Sequence, residues 1–341
     1  MNGGEIAVGV LLGFVPVLLF LVALIVLDSY KLVRLRWVLA SIVAGGWVAV
    51  VCFVVAQALI PALGLEPQNY SRWLAPPIEE FAKAALVVYL IRSHRVGFLV
   101  DAAIYGFAIG AGFAVLESAY YWIALDRFGP GVWLVRGFGT ALVHGGATAL
   151  FAIAAKARAD RRRSQGIRTL APALVPPVAL HWAFNQFVLT PVMSTVVVLV
   201  ALPPLMYGVF RRGERTLEDW LELGFDTDSE MLSLIESGRL SDAPAGEYLG
   251  QLRDRFEPEV VVDMLCFLRL HLELSLRAKG ILMMREAGVP VEPDPTVRAS
   301  LDELAFLERS IGATGKLAMA PLIHTNPRRM WELQVLQGAR E

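Results

Sequence analysis

The sequence predicts an all-α fold: a polytopic membrane bundle of about seven transmembrane helices with a C-terminal helical cytoplasmic domain. Three observations carry this expectation. The 341-residue chain is 56% hydrophobic with a mean hydropathy of +0.54, far too apolar for a water-soluble protein of this length. Its apolar residues fall into runs close to the roughly twenty residues that cross a bilayer. Its charge is also divided. Residues 1–212 carry 17 Lys/Arg and 9 Asp/Glu, whereas residues 213–341 carry 14 and 23. The net charge of −1 therefore conceals a basic transmembrane domain (1–212) and an acidic, water-soluble helical domain (213–341).

The expected spans lie near residues 6–27, 37–61, 76–91, 98–123, 132–155, 169–189 and 192–210. The first has no Lys/Arg before it and no cleavage-site pattern, so it reads as a membrane helix and not as a signal peptide. The third is short. The sixth contains Pro172, Pro176 and Pro177 and is expected to kink. Basic residues cluster in alternate connections: Lys31, Arg34 and Arg36; Arg92 and Arg95; Lys156 through Arg168; and Arg211, Arg212 and Arg215 after the last span. The positive-inside rule then puts the N-terminus outside and the C-terminus in the cytoplasm. Cys52 and Cys266 provide neither a disulfide framework nor metal-ligand spacing.

The C-terminal region is expected to be helical. "TLEDWLELGF" has Thr216 as an N-cap and acids in its first turn. Residues 259–288 and 294–315 are amphipathic, with Gly288 and a Gly-containing segment as stops. No catalytic motif occurs there, which suits a regulatory or packing domain that receives a cytoplasmic partner. No nucleic-acid partner is expected.

Chemistry concentrates in the spans. Glu79, Glu80 and Lys83 stand on the third, Glu117 on the fourth, Arg136 and His144 on the fifth, and His181 on the sixth. Intramembrane ionisable groups are costly and mark functional sites. With the expected topology, four helices deliver carboxylates and imidazoles to one depth in the outer half of the bilayer. Lys83 lies four residues after Glu79 and can neutralise one carboxylate. The second then needs water, a proton or a metal. Arg136 reads as structural, snorkelling outward or pairing with an acid. Gly145 and Gly146 would leave room beside His144 for a substrate backbone.

Glutamates and histidines around an intramembrane water suggest hydrolysis. Alternatively, Glu80, Glu117, His144 and His181 hold Zn²⁺, which lowers the pKa of bound water to about 7. HExxH, GxGD and GxSG signatures are absent. Two other classes stay open: a proton- or cation-coupled carrier using the same acids, and a non-catalytic membrane binding or immunity protein.

"EEFAK" (79–83), "FAVLE" (113–117), His144 and "HWAFN" (181–185) together resemble the motifs of PrsW-type intramembrane proteases, distant relatives of the CAAX prenyl endopeptidase/bacteriocin-immunity superfamily. The resemblance covers roughly residues 70–190. It implies a multi-pass protease of the bacterial plasma membrane that cuts a membrane-anchored protein, in some members an anti-sigma factor, near the outer face. It also implies roles: Glu79 or Glu80 as the catalytic glutamate held by Lys83, Glu117 as its partner, His144 and His181 as site histidines, and Asn185 as an oxyanion-binding residue. The superfamily more often has His where this chain has Glu117, so both the metal-free and the metal-bound routes stay open.

Overall fold

The apolar runs fold as helices, and no strand occurs among the described residues of the computed structural model (3–28, 30, 33–124, 129–162, 164–253, 255–291, 294–323 and 336). In chain order they are α1 (Gly3–Val26), α2 (Leu35–Ala62), α3 (Pro67–Asn69), α4 (Ala75–Arg92), α5 (Leu99–Ala124), α6 (Pro130–Val135), α7 (Ala141–Arg162), α8 (Ile167–Leu170), α9 (Val175–Asn185) and α10 (Pro191–Glu236). Then follow α11 (Pro244–Leu252), α12 (Pro258–Glu286) and α13 (Thr296–Met319). Two π-helical turns, Tyr70–Leu74 and Arg136–Thr140, lead into α4 and α7.

Five segments are long and apolar enough to cross a membrane: Val8–Val26, Leu35–Ala62, Leu99–Ile123, Gly131–Arg162 and Pro191–Glu236. The expected third and sixth spans are helical but fall short of this standard. α4 has 18 residues and carries Glu79, Glu80, Lys83 and Arg92. The sixth run is broken rather than kinked. Pro172 lies in a 3₁₀ turn, Ala171–Leu174, and Pro176 and Pro177 open the 11-residue α9. Proline lacks the N–H an α-helix interior uses, so it sits where that donor would be unpaired anyway.

The chain divides into two compact units, Met1–Glu214 and Arg215–Glu341. In the first, α5 and α7 form the centre. The apolar window of α5 is 83% buried and that of α7 72%, against 33% for α1 and 28% for α2. Small residues allow this close approach. A Cβ added to Gly110 would sit 2.2 Å from the His144 carbonyl oxygen. On the other side of α5, Gly112 meets the Ile42 carbonyl and Gly45 of α2 meets that of Ile109, each with room for hydrogen only. The backbone of His144 is thus fixed against α5 before any side chain is considered.

In the second unit, α12 carries a buried row that includes Met264, Phe267, Leu268, Leu274 and Leu282. α12 ends as expected: Gly288 is left-handed (φ +70°), and Val289 N–H donates to the Met284 carbonyl. The expected stop in residues 294–315 is only a kink, at Gly312 (φ +66°), and α13 continues to Met319. Thr216 does not start a helix, because residues 216–225 lie inside the continuous α10.

Candidate active site

Four elements of the first unit bring their polar residues together. Pro76 and Pro77 fix the first turn of α4. One turn further on, Glu80 and Lys83 face inward, 2% and 0% exposed. α5 presents Phe113 and Glu117 from one face, α7 presents His144, and α9 presents His181. Both imidazoles are buried, with ring centroids 4.7 Å apart and nearly perpendicular.

The contacts form a chain. Lys83 Nζ lies 2.5 Å from Glu80 Oε1 and 3.1 Å from His144 Nδ1. It is also 4.6 Å from the centroid of the Phe113 ring. His144 Nε2 is 3.2 Å from Glu117 Oε2, and Arg136 Nη2 is 3.2 Å from the same oxygen. At the other end, His181 Nδ1 is 2.9 Å from Glu80 Oε1. The sequence suggested a Glu79–Lys83 pair at i,i+4. Lys83 instead takes Glu80 at i,i+3, since both spacings share a helix face and α7 and α9 decide between them.

These partners assign the imidazole tautomers. An ammonium only donates, so His144 Nδ1 accepts from Lys83, and Nε2–H donates to Glu117. A carboxylate only accepts, so His181 Nδ1–H donates to Glu80, and in the neutral imidazole Nε2 carries the lone pair. That lone pair faces Glu79 Oε2 at 3.9 Å. Glu79 Oε2 is itself buried and has no hydrogen-bond partner among the described residues. With a neutral imidazole and an ionised carboxylate, two acceptors face each other and nothing is donated between them.

Charge accounting isolates the same group. Lys83 offsets Glu80 and Arg136 offsets Glu117, which leaves the Glu79 carboxylate uncompensated. Buried charge is retained only when paired, neutralised or bound to a cation. Glu79, His144 and His181 each offer a ligand atom within 4.8 Å of the others. This donor set suits a divalent ion such as Zn²⁺, and Glu80 on His181 Nδ1 is the outer carboxylate that such a histidine uses. His144 would have to release Lys83 or Glu117 to join it. The group shares both histidines with the set expected from sequence, but contains Glu79 in place of Glu80 and Glu117.

Three further placements differ from, or add to, the sequence-based expectation. Asn185 donates to the Ser71 carbonyl (3.0 Å), tying α9 to the π-helical turn before α4. Gly145 and Gly146 leave no free space, because Phe107 and Leu202 fill it. Cys52 of α2 packs against Phe113, within electrostatic reach of Glu79, Glu80 and Lys83. A lone cysteine in an apolar run gives no sequence signal for such a position.

A family model described as PrsW family intramembrane metalloprotease matches residues 33–209, just over half of the chain. The chain belongs to the PrsW family. No curated protein and no solved structure matches it. The matched stretch of this PrsW-family chain runs from the start of α2 into α10. It contains every residue of the polar chain described above, and it leaves out α1 and all of the second unit. The resemblance seen in the four motifs holds, and with it a membrane protein that carries an intramembrane-protease domain.

Proposed function

We propose that this protein is an endopeptidase that hydrolyses a peptide bond of a membrane-anchored protein, with Glu79 as the residue that activates water. The buried, unpartnered Glu79 Oε2 facing the lone pair of His181 Nε2 at 3.9 Å carries this reading. A water bridging the two atoms would lie about 2.8 Å from each. Glu79 removes a proton from that water, the oxygen attacks the scissile carbonyl carbon, and the same proton passes to the departing amine nitrogen. The C–N bond breaks to give a carboxylic acid and an amine, and the acid's remaining proton passes to the amine, leaving a carboxylate and an ammonium. Glu80 holds His181 in the required tautomer, and Lys83 holds Glu80. Oε1 of Glu80 is not free to act as a base, because Lys83 and His181 already occupy it.

The donor set Glu79, His144 and His181 would hold the metal in the family's description; a bound divalent ion would then supply the water of lowered pKa, with Glu79 as its ligand in place of acting as the base. The loop charges support a site near the outer face of a bacterial plasma membrane, with the N-terminus outside and the second unit in the cytoplasm as a regulatory domain. Protease accessibility of tags placed in the 156–168 loop tests that topology, and cleavage of the tag from outside reverses it.

The test of function uses the full chain in lipid bilayers with a membrane-anchored reporter. Glu79→Gln is expected to lower the cleavage rate by about 10²–10⁴-fold, with folding intact. Unchanged cleavage in both Glu79→Gln and His181→Ala ends this reading. Elemental analysis of the purified protein addresses the metal independently: stoichiometric zinc that is lost in His181→Ala supports the bound ion.

A further inference from the structure

Arg136 lies outside all the sequence motifs, and its neighbours give it a seat of unusual definition. Its guanidinium rests on two residues one turn apart on α5, with Nη2 3.2 Å from Glu117 Oε2 and Cζ 4.0 Å from the centroid of the Tyr121 ring. It opens the π-helical turn Arg136–Thr140, whose extra residue re-aims the chain before α7. That turn is fixed from behind by α1. A Cβ on Gly137 would stand 1.8 Å from the Leu12 carbonyl oxygen, so only glycine lets the turn seat there. The oxygen that receives Arg136 is the same Oε2 that receives His144 Nε2. Arg136 Nε and Nη2 are buried and make no hydrogen bond among the described residues, so the guanidinium meets Glu117 as an ion pair. The charge of the guanidinium is set against Glu117, and its face against Tyr121.

We propose that Arg136 is a positioning residue: in the metal-free site it holds Glu117 in place, and through Glu117 it keeps His144 in the Nε2–H tautomer that accepts from Lys83. Without the guanidinium, Glu117 loses its compensating charge and His144 loses a fixed acceptor. The Lys83–Glu80–His181 side of the site then loses its second anchor. α1, which supplies the wall behind the turn, lies outside the family-matched stretch, so the positioning device couples that helix to the reaction. The catalytic consequence rests on the proposed hydrolysis, whereas the tautomer does not.

The experiment reads both. Ring-¹⁵N-histidine spectra of the full chain in bilayers, with His144 assigned by its loss in His144→Gln, are expected to show Nδ1 unprotonated and Nε2 protonated. Arg136→Ala is expected to mix the two tautomers, and Arg136→Lys to preserve the original signal. An unchanged His144 signal in Arg136→Ala overturns the proposal. If Arg136→Ala does not fold, Arg136→Gln and Arg136→Lys are compared instead under the same criterion. In reporter cleavage, Arg136→Ala is expected to cost about 10–100-fold in kcat with KM unchanged. Glu117→Gln combined with Arg136→Ala is expected to be no slower than Glu117→Gln alone. Effects that multiply overturn the coupling through Glu117. Absence of any wild-type cleavage counts against the hydrolase reading, and the spectra still decide the role of Arg136.

Discussion

Each unit of the molecule buries a lysine against a carboxylate, and the two pairs behave differently. In the second unit, Lys279 Nζ lies 2.5 Å from Asp228 Oδ2 and 2.9 Å from the Gly224 carbonyl. Ser275 donates to the same carboxylate at 2.7 Å. One positive charge meets one negative charge, and this network joins α10 to α12. In the first unit, Lys83 meets Glu80 at the same 2.5 Å, but the network stays open. Glu80 also receives His181, Lys83 also reaches His144, and Glu79 stands beside them with a buried oxygen that nothing donates to. A buried ion pair by itself is architecture. What marks chemistry is the carboxylate left over after every cation has been assigned.

Removing single partners tests this contrast most strongly. Lys83→Met strands Glu80 in the interior and is expected to cost about 3–5 kcal/mol as well as cleavage. Lys279→Met is expected to cost less, about 1–3 kcal/mol, because Asp228 keeps Ser275 and is 18% exposed. Denaturation of the purified full chain in detergent measures both, and equal losses would break the contrast.

Removing both partners sharpens it. Replacing a buried pair by apolar residues is often close to neutral for folding. Lys279→Met with Asp228→Leu is therefore expected to leave both stability and reporter cleavage nearly unchanged. Lys83→Met with Glu80→Leu is expected to fold but not cleave, since His181 Nδ1 loses its acceptor. Cleavage that survives in the second variant refutes the assignment of a catalytic role to the open network.

The smallest effect belongs to Asp294, which accepts from the Thr296 hydroxyl and amide and pairs with Arg277. Chiefly because of Thr296, its carboxyl is held below the usual range. The folded-state value lies below the unfolded one, so its contribution is present at neutral pH and fades as pH falls through the folded value. Asp294→Ala is expected to remove a slight acid-side loss of thermal stability and leave cleavage untouched. Thermal melts at neutral and acid pH report it.

Much of this was legible in the chain. Helices follow from apolar runs of membrane-spanning length, and the convergence of Glu79, Glu80, Glu117, His144 and His181 follows from their depths within those runs. What was not legible depends on rotation and contact. Glu79 and Glu80 are adjacent in sequence, and only the packing of α4 against α7 and α9 decides that Glu80 takes Lys83 while Glu79 is left over. Gly145 and Gly146 suggest space, yet Phe107 and Leu202 come from distant helices to fill it. Arg136 owes its place to a π-helical turn, which no periodicity in the sequence announces. Asn185 makes a contact that no motif announces: its amide donates to the Ser71 carbonyl, a partner 114 residues away.

Lys83 has no exposed surface, and its amine is held between Glu80 and His144. It is therefore chemically silent towards amine-reactive reagents for as long as α4, α7 and α9 stay together. Its acylation, read by mass spectrometry against the exposed lysine at position 316 as an internal standard, becomes a clock for how often the bundle opens.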